Sequence, residues 1–199
     1  MKYIIGLTGP TGSGKSSFSD LAEKMGISVI DCDKISRQVT QNGGECLSKL
    51  SAAFGEDIIK DGALDRKLLA QKAFVNNEKK TLLEEIIFPY ILDEVLKKIE
   101  ETESETVLLD APTLFESGIN ELCGSVVAVL SDKEIRKKRI IERDFLTEEQ
   151  AEVRMNAGKP DSFYLERADY IINNNSDKNE FLKFSEEIIN TLIGGNNNE

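Results

Sequence analysis

The sequence contains no histidine among its 199 residues. Imidazole catalysis and histidine-bound metals are therefore excluded, and carboxylates, lysines and arginines must carry any chemistry. The three cysteines, Cys32, Cys46 and Cys123, are scattered and lack CxxC spacing, which indicates neither a disulfide framework nor a zinc site. We therefore expect a reducing, cytoplasmic setting.

Excess positive charge and long apolar runs are also lacking. The formal net charge is −11, so nucleic acids and acidic membranes are disfavoured as partners, because the summed field repels polyanions. No apolar run approaches membrane-spanning length, and the N-terminal run is broken at Gly6, so we expect neither a signal peptide nor membrane association. Any phosphate site in this chain must be locally basic.

A glycine-rich stretch near the N-terminus, GPTGSGKS at residues 9–16, fits the phosphate-binding pattern GxxxxGK(S/T). An apolar strand pattern precedes it and an amphipathic helix pattern follows it, the order that this motif requires. In such loops the backbone N–H groups surround phosphate oxygens, the lysine reaches the β- and γ-phosphates, and the serine ligates Mg²⁺. The alternative is a glycine turn that binds nothing. We predict a triphosphate site formed by Gly9, Thr11, Gly12, Ser13, Gly14, Lys15, Ser16 and Ser17.

A second strand, residues 27–30, is followed by Asp31 and Asp33. In open α/β sheets ligands bind at the carboxyl ends of the strands, so both carboxylates are candidates for substrate or phosphate contacts. The alternative for Asp33 is an N-cap of a helix that begins at Lys34. The sequence leaves these two interpretations equal.

Residues 35–101 follow a mostly helical pattern, with turns at Gly43-Gly44 and Asp61-Gly62. Pro89 disfavours helix at Phe88, so we expect one helix to end there and another to begin. We interpret residues 37–103 as a helical insertion. Within it Asp65-Arg66 opens a helix. The default interpretation is that the pair caps the helix and is solvated, and the less favoured alternative is that Arg66 contacts a phosphate.

The third predicted strand, residues 106–110, ends in a carboxylate, Asp110, as Mg²⁺-binding strands beside phosphate loops do. The residues after it, Pro112, Leu114, Phe115 and Glu116, are candidates for substrate contacts, with a surface charge as the alternative for Glu116. Further strands are predicted at residues 125–130 and 170–172. Strands that alternate with helices in this way predict a doubly wound parallel sheet of five strands.

The only dense basic patch lies between the last two strands. Helical spacing places Arg136, Arg139 and Arg143 on one face. Solvated surface ion pairs are the alternative, but the position in the chain favours a mobile helical lid, residues 132–165, that holds the transferring phosphoryl group. The polar residues 194–199 predict a disordered tail. The nucleotide-binding core is then residues 1–36 and 104–193.

Together these signatures resemble the dephospho-coenzyme A kinase family over nearly the whole chain. The phosphate loop is generic to many kinases, so the other segments make the match specific. The resemblance is carried by residues 6–16, Val29-Ile30-Asp31-Cys32-Asp33, Asp65-Arg66, residues 109–116, Arg139 with Glu142-Arg143-Asp144, and Ala168-Asp169.

The resemblance implies the fold of a phosphate-loop kinase and transfer of the γ-phosphoryl group of ATP to the ribose 3′-hydroxyl of dephospho-coenzyme A. Asp33 is then the general base, Lys15 braces the ATP phosphates, and Arg139 and Arg143 contact the γ-phosphoryl group. Mg²⁺ is bound by Ser16 and by Asp110, directly or through water. The partners implied are the two small-molecule substrates, with the chain a monomer or weak homo-oligomer.

Three positions depart from the family pattern: Phe88 replaces the usual histidine, Gly158 a glutamine and Cys32 an alanine. These departures put affinity for the acceptor in doubt more than phosphoryl transfer. Two alternatives therefore stay open. One is a kinase for another nucleoside, nucleotide or small alcohol, and the other is a weakly active paralogue that binds nucleotide.

Overall fold

The computed structural model describes residues 2–41 and 43–196. Seven strands and nine α-helices alternate along this part of the chain, together with short 3₁₀ turns at Glu56–Ile58 and Ile119–Leu122. In chain order the elements are β1 Tyr3–Thr8, α1 Lys15–Lys24, β2 Ser28–Asp31, α2 Cys32–Val39, α3 Glu45–Phe54, β3 Ile59–Lys60, β4 Ala63–Leu64, α4 Arg66–Ala73, α5 Asn77–Glu101, β5 Thr106–Asp110, β6 Ser125–Leu130, α6 Lys133–Asp144, α7 Glu148–Asn156, α8 Asp161–Leu165, β7 Tyr170–Asn173 and α9 Lys178–Asn196.

The chain divides into two compact units. The first comprises the chain up to Ile30 and from Glu103 onward, and the second comprises Asp31–Thr102. The first boundary lies earlier than the expected one after residue 36, because α2 packs against α5 and so belongs to the second unit. Asp31 and Asp33 therefore belong to the second unit, not to the nucleotide-binding core in which we expected them.

The main sheet has the strand order β2-β5-β1-β6-β7. Strand β1 pairs in parallel with β5 and β6, and β6 pairs in parallel with β7. The central strands are buried almost throughout, which explains their unbroken apolar sequences. The predicted doubly wound parallel sheet of five strands is confirmed. Its parallel arrangement brings the carboxyl ends of β1, β5, β6 and β7 to one edge.

Helices α1 and α9 cover the core of the first unit. Phe18 on α1 and Phe181 on α9 are fully buried against strand residues such as Leu7 and Val127. Helix α9 continues through Gly194 and Gly195 to Asn196. The expected tail of residues 194–199 is thus corrected for its first three residues, which extend a helix already fixed by the packing of Ile189 and Leu192; residues 197–199 lie outside the described residues.

The second unit has its own apolar core, built from α3, α4 and α5 around Leu50 and Ile58. The expected break at Pro89 is wrong, because α5 is one helix of 25 residues that contains Pro89. Proline removes one helical hydrogen bond, but apolar residues on both sides of it, such as Ile87 and Ile91, hold the helix in place. No helix within the described residues is long and apolar enough to cross a membrane.

The turn at Asp61-Gly62 joins two strands, not two helices as we expected. Strands β3 and β4 pair antiparallel, with Ile59 opposite Leu64 and Lys60 opposite Ala63. Asp61 and Gly62 have φ values of 52° and 78°, as a tight hairpin turn with positive φ at both central positions requires. An Asp-Gly pair between very short strands carries this signal, but the flanking residues show too little alternation to reveal it.

Candidate active site

The phosphate loop leaves the carboxyl end of β1 in a conformation that depends on its glycines. Gly9 has a φ of 139°, and a Cβ atom at this position would lie 2.2 Å from the carbonyl oxygen of Val129. The Nζ atom of Lys15 donates a hydrogen bond of 2.8 Å to the carbonyl oxygen of Gly9. The loop is thus closed back on itself by the lysine that the motif assigns to the phosphates.

Gly14 occupies the N-cap of α1 with a φ of 110°. Lys15, Ser16 and Ser17 follow in the first helical turn, which contains no acidic residue. The first N–H groups of a helix have no partner inside it, and its dipole is positive at this end, so this turn favours an anion. The structure therefore places the predicted donor-site residues around a helix start suited to phosphate.

Asp110 is the last residue of β5, the strand that pairs with β1. Its Oδ2 atom accepts a hydrogen bond of 2.7 Å from the hydroxyl of Ser19, which lies on α1. Ser16, the other predicted magnesium ligand, is exposed at the start of the same helix. No group of three or more acidic or cysteine side chains that could hold a metal occurs within the described residues. One hydroxyl and one carboxylate fit Mg²⁺, which in nucleotide sites takes few protein ligands and keeps phosphate and water oxygens.

Arg139 on α6 reaches back to the phosphate loop. Its guanidinium donates to the carbonyl oxygen of Ser13 at 3.3 Å, to the carbonyl oxygen of Asn174 at 3.1 Å and to the side-chain oxygen of Asn174 at 3.2 Å. It also donates to the hydroxyl of Ser131 at 3.3 Å. Burial lowers the pKa of this guanidinium from its usual value, yet arginine stays charged at any physiological pH. A fixed positive charge thus lies against the phosphate loop.

The other two arginines of the predicted stripe do not join Arg139. Arg136 is buried and forms an ion pair of 3.2 Å with Asp161 on α8. Arg143 is exposed, and two of its nitrogens donate to the two carboxylate oxygens of Asp144 at 2.9 Å each. These hydrogen bonds raise the pKa of Arg143. The predicted common face exists, but different partners hold each of its members.

The segment after β5 is built into the first unit. The carbonyl oxygen of Pro112 accepts a hydrogen bond of 3.4 Å from the hydroxyl of Thr8, and Leu114 is fully buried. The ring of Phe115 meets that of Phe163 edge to face, with centroids 5.8 Å apart. These contacts make the segment a structural support of the strand edge, and a role in substrate binding for it stays a prediction.

Glu116 ends this segment in a partly buried polar cluster with Arg136, Asp161 and Tyr164. Burial, followed by the negative charge of Glu116, raises the pKa of Tyr164 to about 12, although Arg136 opposes this shift. The Oε2 atom of Glu116 is buried without a hydrogen-bond partner within the described residues. Glu116 is therefore not the freely solvated surface charge that was its alternative interpretation.

In the second unit, Asp31 is the last residue of β2 and caps α2. Its Oδ1 atom accepts a hydrogen bond of 2.9 Å from the backbone N–H of Lys34, and its Oδ2 atom lies 3.3 Å from the Nζ atom of that lysine. The helix begins at Cys32, so Asp33 lies in its first turn and is exposed. The alternative in which Asp33 is the N-cap is therefore wrong, because Asp31 performs that role.

Arg66 lies at the start of α4, whose N-cap is Asp65. Its guanidinium donates to the carbonyl oxygen of Arg37 at 3.2 Å and to the hydroxyl of Thr40 at 2.6 Å, at the C-terminal end of α2. Burial, and then the positive charge of Arg37, lower the pKa of Arg66. Within the described residues no carboxylate forms an ion pair with either arginine. Two like charges lie close together here.

The three departures from the family pattern lie apart. Phe88 is half-buried within α5, Cys32 is buried in the first turn of α2, and Gly158 is exposed after α7. A Cβ atom on Gly158 would meet only the carbonyl oxygen of Met155, at 3.4 Å, so the backbone there accepts other residues.

Two residues of this region were not among the predicted site residues. Asn174 follows β7, and its side chain contacts both the phosphate loop and Arg139. Asp169 precedes β7, and its carboxylate accepts a hydrogen bond of 2.7 Å from the backbone N–H of Val126. No local pattern marks Asn174, which stands within a run of three asparagines. For Asp169 the Ala-Asp pair is a signal, but it does not reveal the contact.

Comparison with known proteins gives consistent matches. The sequence model of the family described as dephospho-CoA kinase matches residues 3–180. A dephospho-CoA kinase of Idiomarina loihiensis is 40% identical over 177 residues, which are 88% of this chain and 88% of that protein. One of Listeria innocua is 35% identical over 198 residues, which are 96% of this chain and 99% of that protein.

Two solved structures are similar to this chain, one in sequence and fold and the other in fold alone. A dephospho-CoA kinase from Campylobacter jejuni has a TM-score of 0.72 at 30% identity and covers 98% of this chain and 100% of its own. A shikimate kinase from Bacteroides thetaiotaomicron has a TM-score of 0.56 at 16% identity over 96% of this chain and 98% of its own, which shows a shared fold. The chain belongs to the dephospho-CoA kinase family.

Proposed function

We propose that this chain phosphorylates the ribose 3′-hydroxyl of dephospho-coenzyme A with ATP, giving coenzyme A and ADP, the last step of coenzyme A synthesis. The observation that carries the proposal is a complete phosphate loop, with Lys15 and Arg139 against its carbonyls, in a chain of this family. The reaction makes a bond between the acceptor oxygen and the γ-phosphorus and breaks the bond to the β,γ-bridging oxygen. No covalent intermediate on the protein is needed.

On the donor side, Lys15 and the N–H groups of residues 12–17 bind the phosphates. Lys15 leaves the carbonyl of Gly9 to do so, which exchanges a neutral acceptor for a charged one. Arg139 and Arg143 face the charge that the γ-phosphoryl group carries in the transition state. Ser16 and Asp110 are the residues that hold Mg²⁺, which neutralises phosphate charge when it is bound.

On the acceptor side, Asp33 accepts the proton of the attacking 3′-hydroxyl. An exposed carboxylate in the first turn of α2 suits this role, since its neighbour Asp31 already supplies the cap. Arg66, together with Arg37, offers positive charge to the phosphates of the acceptor, because no carboxylate pairs with them within the described residues. Asp31 and the segment from Pro112 to Glu116 complete the substrate contacts that we propose.

We further infer that the enzyme works in the cytoplasm on these two small molecules, with no nucleic acid or membrane partner. It is a monomer or weak homo-oligomer. The strong negative charge and the three cysteines, which form no disulfide within the described residues, support this setting.

The experiment that tests the function is a coupled ADP-release assay across several acceptors. We expect turnover with dephospho-coenzyme A and little with nucleoside monophosphates or small alcohols. Turnover only with the latter acceptors would show a kinase of another specificity. ATP binding without turnover of any acceptor would show a nucleotide-binding paralogue.

The variant Asp33→Asn tests the proposed base. We expect turnover to fall by about 10²–10⁴-fold, the usual worth of general base catalysis, while ATP affinity and stability stay near the wild-type values. The matched variant Asp31→Asn keeps a capping oxygen and should alter the acceptor KM more than kcat. Near-normal turnover in Asp33→Asn would contradict the assigned role.

A further inference from the structure

Asn174, the first residue after β7, is 6% exposed and makes four different kinds of hydrogen bond. Its side-chain nitrogen donates to the carbonyl oxygen of Ser13 at 2.7 Å, and its side-chain oxygen accepts from Arg139 at 3.2 Å. Its backbone N–H donates to Leu130 at 2.8 Å, and its carbonyl accepts from Ser131 at 2.8 Å. The amide is therefore fixed at both ends and cannot turn without losing a buried partner.

The amide also lies directly against the N-cap of α1. A Cβ atom on Gly14 would lie 2.1 Å from the side-chain nitrogen of Asn174. The last glycine of the motif is thus required by this contact as well as by its φ of 110°. The phosphate loop and Asn174 are built as one packed unit, although 161 positions separate Asn174 from Ser13.

The bond to Ser13 determines where a phosphate-binding group points. The carbonyl of Ser13 and the N–H of Gly14 belong to one planar trans peptide, so they point in opposite directions. Asn174 and Arg139 both hold this carbonyl, at 2.7 and 3.3 Å. The N–H of Gly14 is therefore directed away from Asn174 and Arg139.

We propose that Asn174 is a positioning residue for phosphoryl transfer, acting through the Ser13–Gly14 peptide and through Arg139. The proposal rests on the proposed use of ATP as donor. The role we propose for Asn174 requires no contact of its side chain with either substrate. Its amide supplies one donor and one acceptor at fixed separation, so it sets the direction of a loop N–H and the place of the arginine charge together. A side chain with only one of these groups cannot do both.

The first test compares Asn174→Ala with Asn175→Ala. Asn175 is the matched control because its side chain pairs with Asp132 at the start of α6, at 2.8 Å, and contacts neither the phosphate loop nor Arg139 within the described residues. We expect Asn174→Ala to lower kcat/KM for ATP by about 10–100-fold, the usual cost of a misplaced group, and to leave the acceptor KM within about twofold. Asn175→Ala should stay within about twofold of wild type in both.

The isosteric variant Asn174→Asp separates shape from hydrogen bonding. It keeps the acceptor for Arg139 but loses the donor to Ser13 and places negative charge beside the phosphates. We expect calorimetric titration with ATP alone to show at least as large a loss of affinity as in Asn174→Ala. Equal ATP affinity in Asn174→Asp and wild type would overturn the role of the donor.

A double-mutant comparison tests action through Arg139. In an Arg139→Lys background, Asn174→Ala should cost at most a few-fold in kcat, because the arginine that it places is gone. Additive losses would overturn this part of the proposal. A lower melting temperature in Asn174→Ala with unchanged kcat and ATP affinity would reduce Asn174 to a structural residue. If wild type fails to turn over dephospho-coenzyme A, the proposed function fails, and the ATP titration still decides the role of Asn174.

Discussion

The two ends of helix α6 hold their arginines in different ways. In its N-terminal and middle turns, Arg136 and Arg139 are tied to α8, to the phosphate loop and to the residue after β7. At its C-terminal end, Arg143 is exposed and pairs with its sequence neighbour Asp144, which also binds Arg154 at 2.7 Å. Long-range bonds to α8 and to the phosphate loop hold Arg136 and Arg139. Ion pairs at the surface hold Arg143.

This difference indicates that the arginines have different tasks, although the sequence pattern places them on one face. A charge held by buried carbonyls is already in place before a ligand arrives, so little reorganisation is needed. A charge held by a partly exposed carboxylate at the surface is easily exchanged for a phosphate, because surface ion pairs are weak. We therefore infer that Arg139 belongs to the fixed phosphate site and that Arg143 is the arginine that moves on binding.

The largest expected effect comes from removing each arginine in turn. Arg143→Ala should lower kcat by about 10²–10³-fold, as loss of one transition-state donor does. Its unfolding free energy should change by less than about 1 kcal/mol, because the pair with Asp144 is at the surface. Arg139→Ala should lose activity and also about 1–3 kcal/mol of stability, since it leaves buried acceptors at Ser13 and Asn174 without their charged donor.

Initial rates and urea unfolding of both variants measure this comparison. Lys138→Ala, at an exposed residue that directly precedes Arg139 on the same helix, is the control and should change neither quantity by much. Equal stability of the two arginine variants would contradict the division of α6 into a fixed part that carries Arg139 and an exchangeable end that carries Arg143.

The burial of Tyr164 on α8, next to Arg136 of α6, also predicts a pH effect. Burial, with the charge of Glu116, raises the pKa of this tyrosine to about 12 in the folded state, from 10.0. Below pH 10 the tyrosine is neutral in both states and the contribution is fully present. As the pH rises from 10 toward 12, only the unfolded state loses the proton, so stability is lost. We expect a decrease of about 2–3 kcal/mol across this range.

Urea unfolding at pH 9 and near pH 11.5 measures this decrease, and Tyr164→Phe should reduce it. Tyr170→Phe removes a tyrosine hydroxyl outside the cluster and serves as the control. An equal loss of unfolding free energy at high pH in Tyr164→Phe and wild type would show that the loss does not come from ionisation of Tyr164.

The fold could be predicted largely because its signals are local. The apolar strands, the glycine loop and the carboxylate at residue 110 can each be recognised within about ten residues, and the structure confirms the strands and the sheet. The break at Pro89 was wrong because packing along α5 outweighs one missing hydrogen bond. Local propensity was overridden there by contacts with the core of the second unit.

The site could be predicted less completely, because several of its contacts join residues that are far apart in the sequence. The motif identified Lys15 and Ser16, but the bonds of Asn174 and Asp169 connect positions 161 and 43 apart in sequence. Helical spacing placed three arginines on one face, yet their partners differ: Arg136 and Arg139 bond outside α6, and Arg143 bonds to Asp144 at the end of the helix. The periodicity of a sequence shows which face of a helix a side chain lies on, but only the packed structure shows which residue that side chain contacts.

The smallest expected effect concerns the exposed end of α6. Phe145 ends the helix with φ and ψ of 53° and 39°, a left-handed conformation that favours glycine, and its side chain is 93% exposed. Phe145→Gly removes the steric cost but adds freedom to the unfolded chain, so we expect a net gain of about 0.5–1 kcal/mol in unfolding free energy. Urea unfolding measures this gain.

The matched control is Phe184→Gly, because Phe184 is also exposed but lies inside α9. Glycine there should cost about 1 kcal/mol, as it does in helix interiors, so the two substitutions are expected to have opposite signs. A loss of stability in Phe145→Gly would show that the ring makes a stabilising contact. A gain in stability with an unchanged kcat would show that the exposed end of α6 tolerates the release of backbone strain, in contrast to the part that carries Arg139.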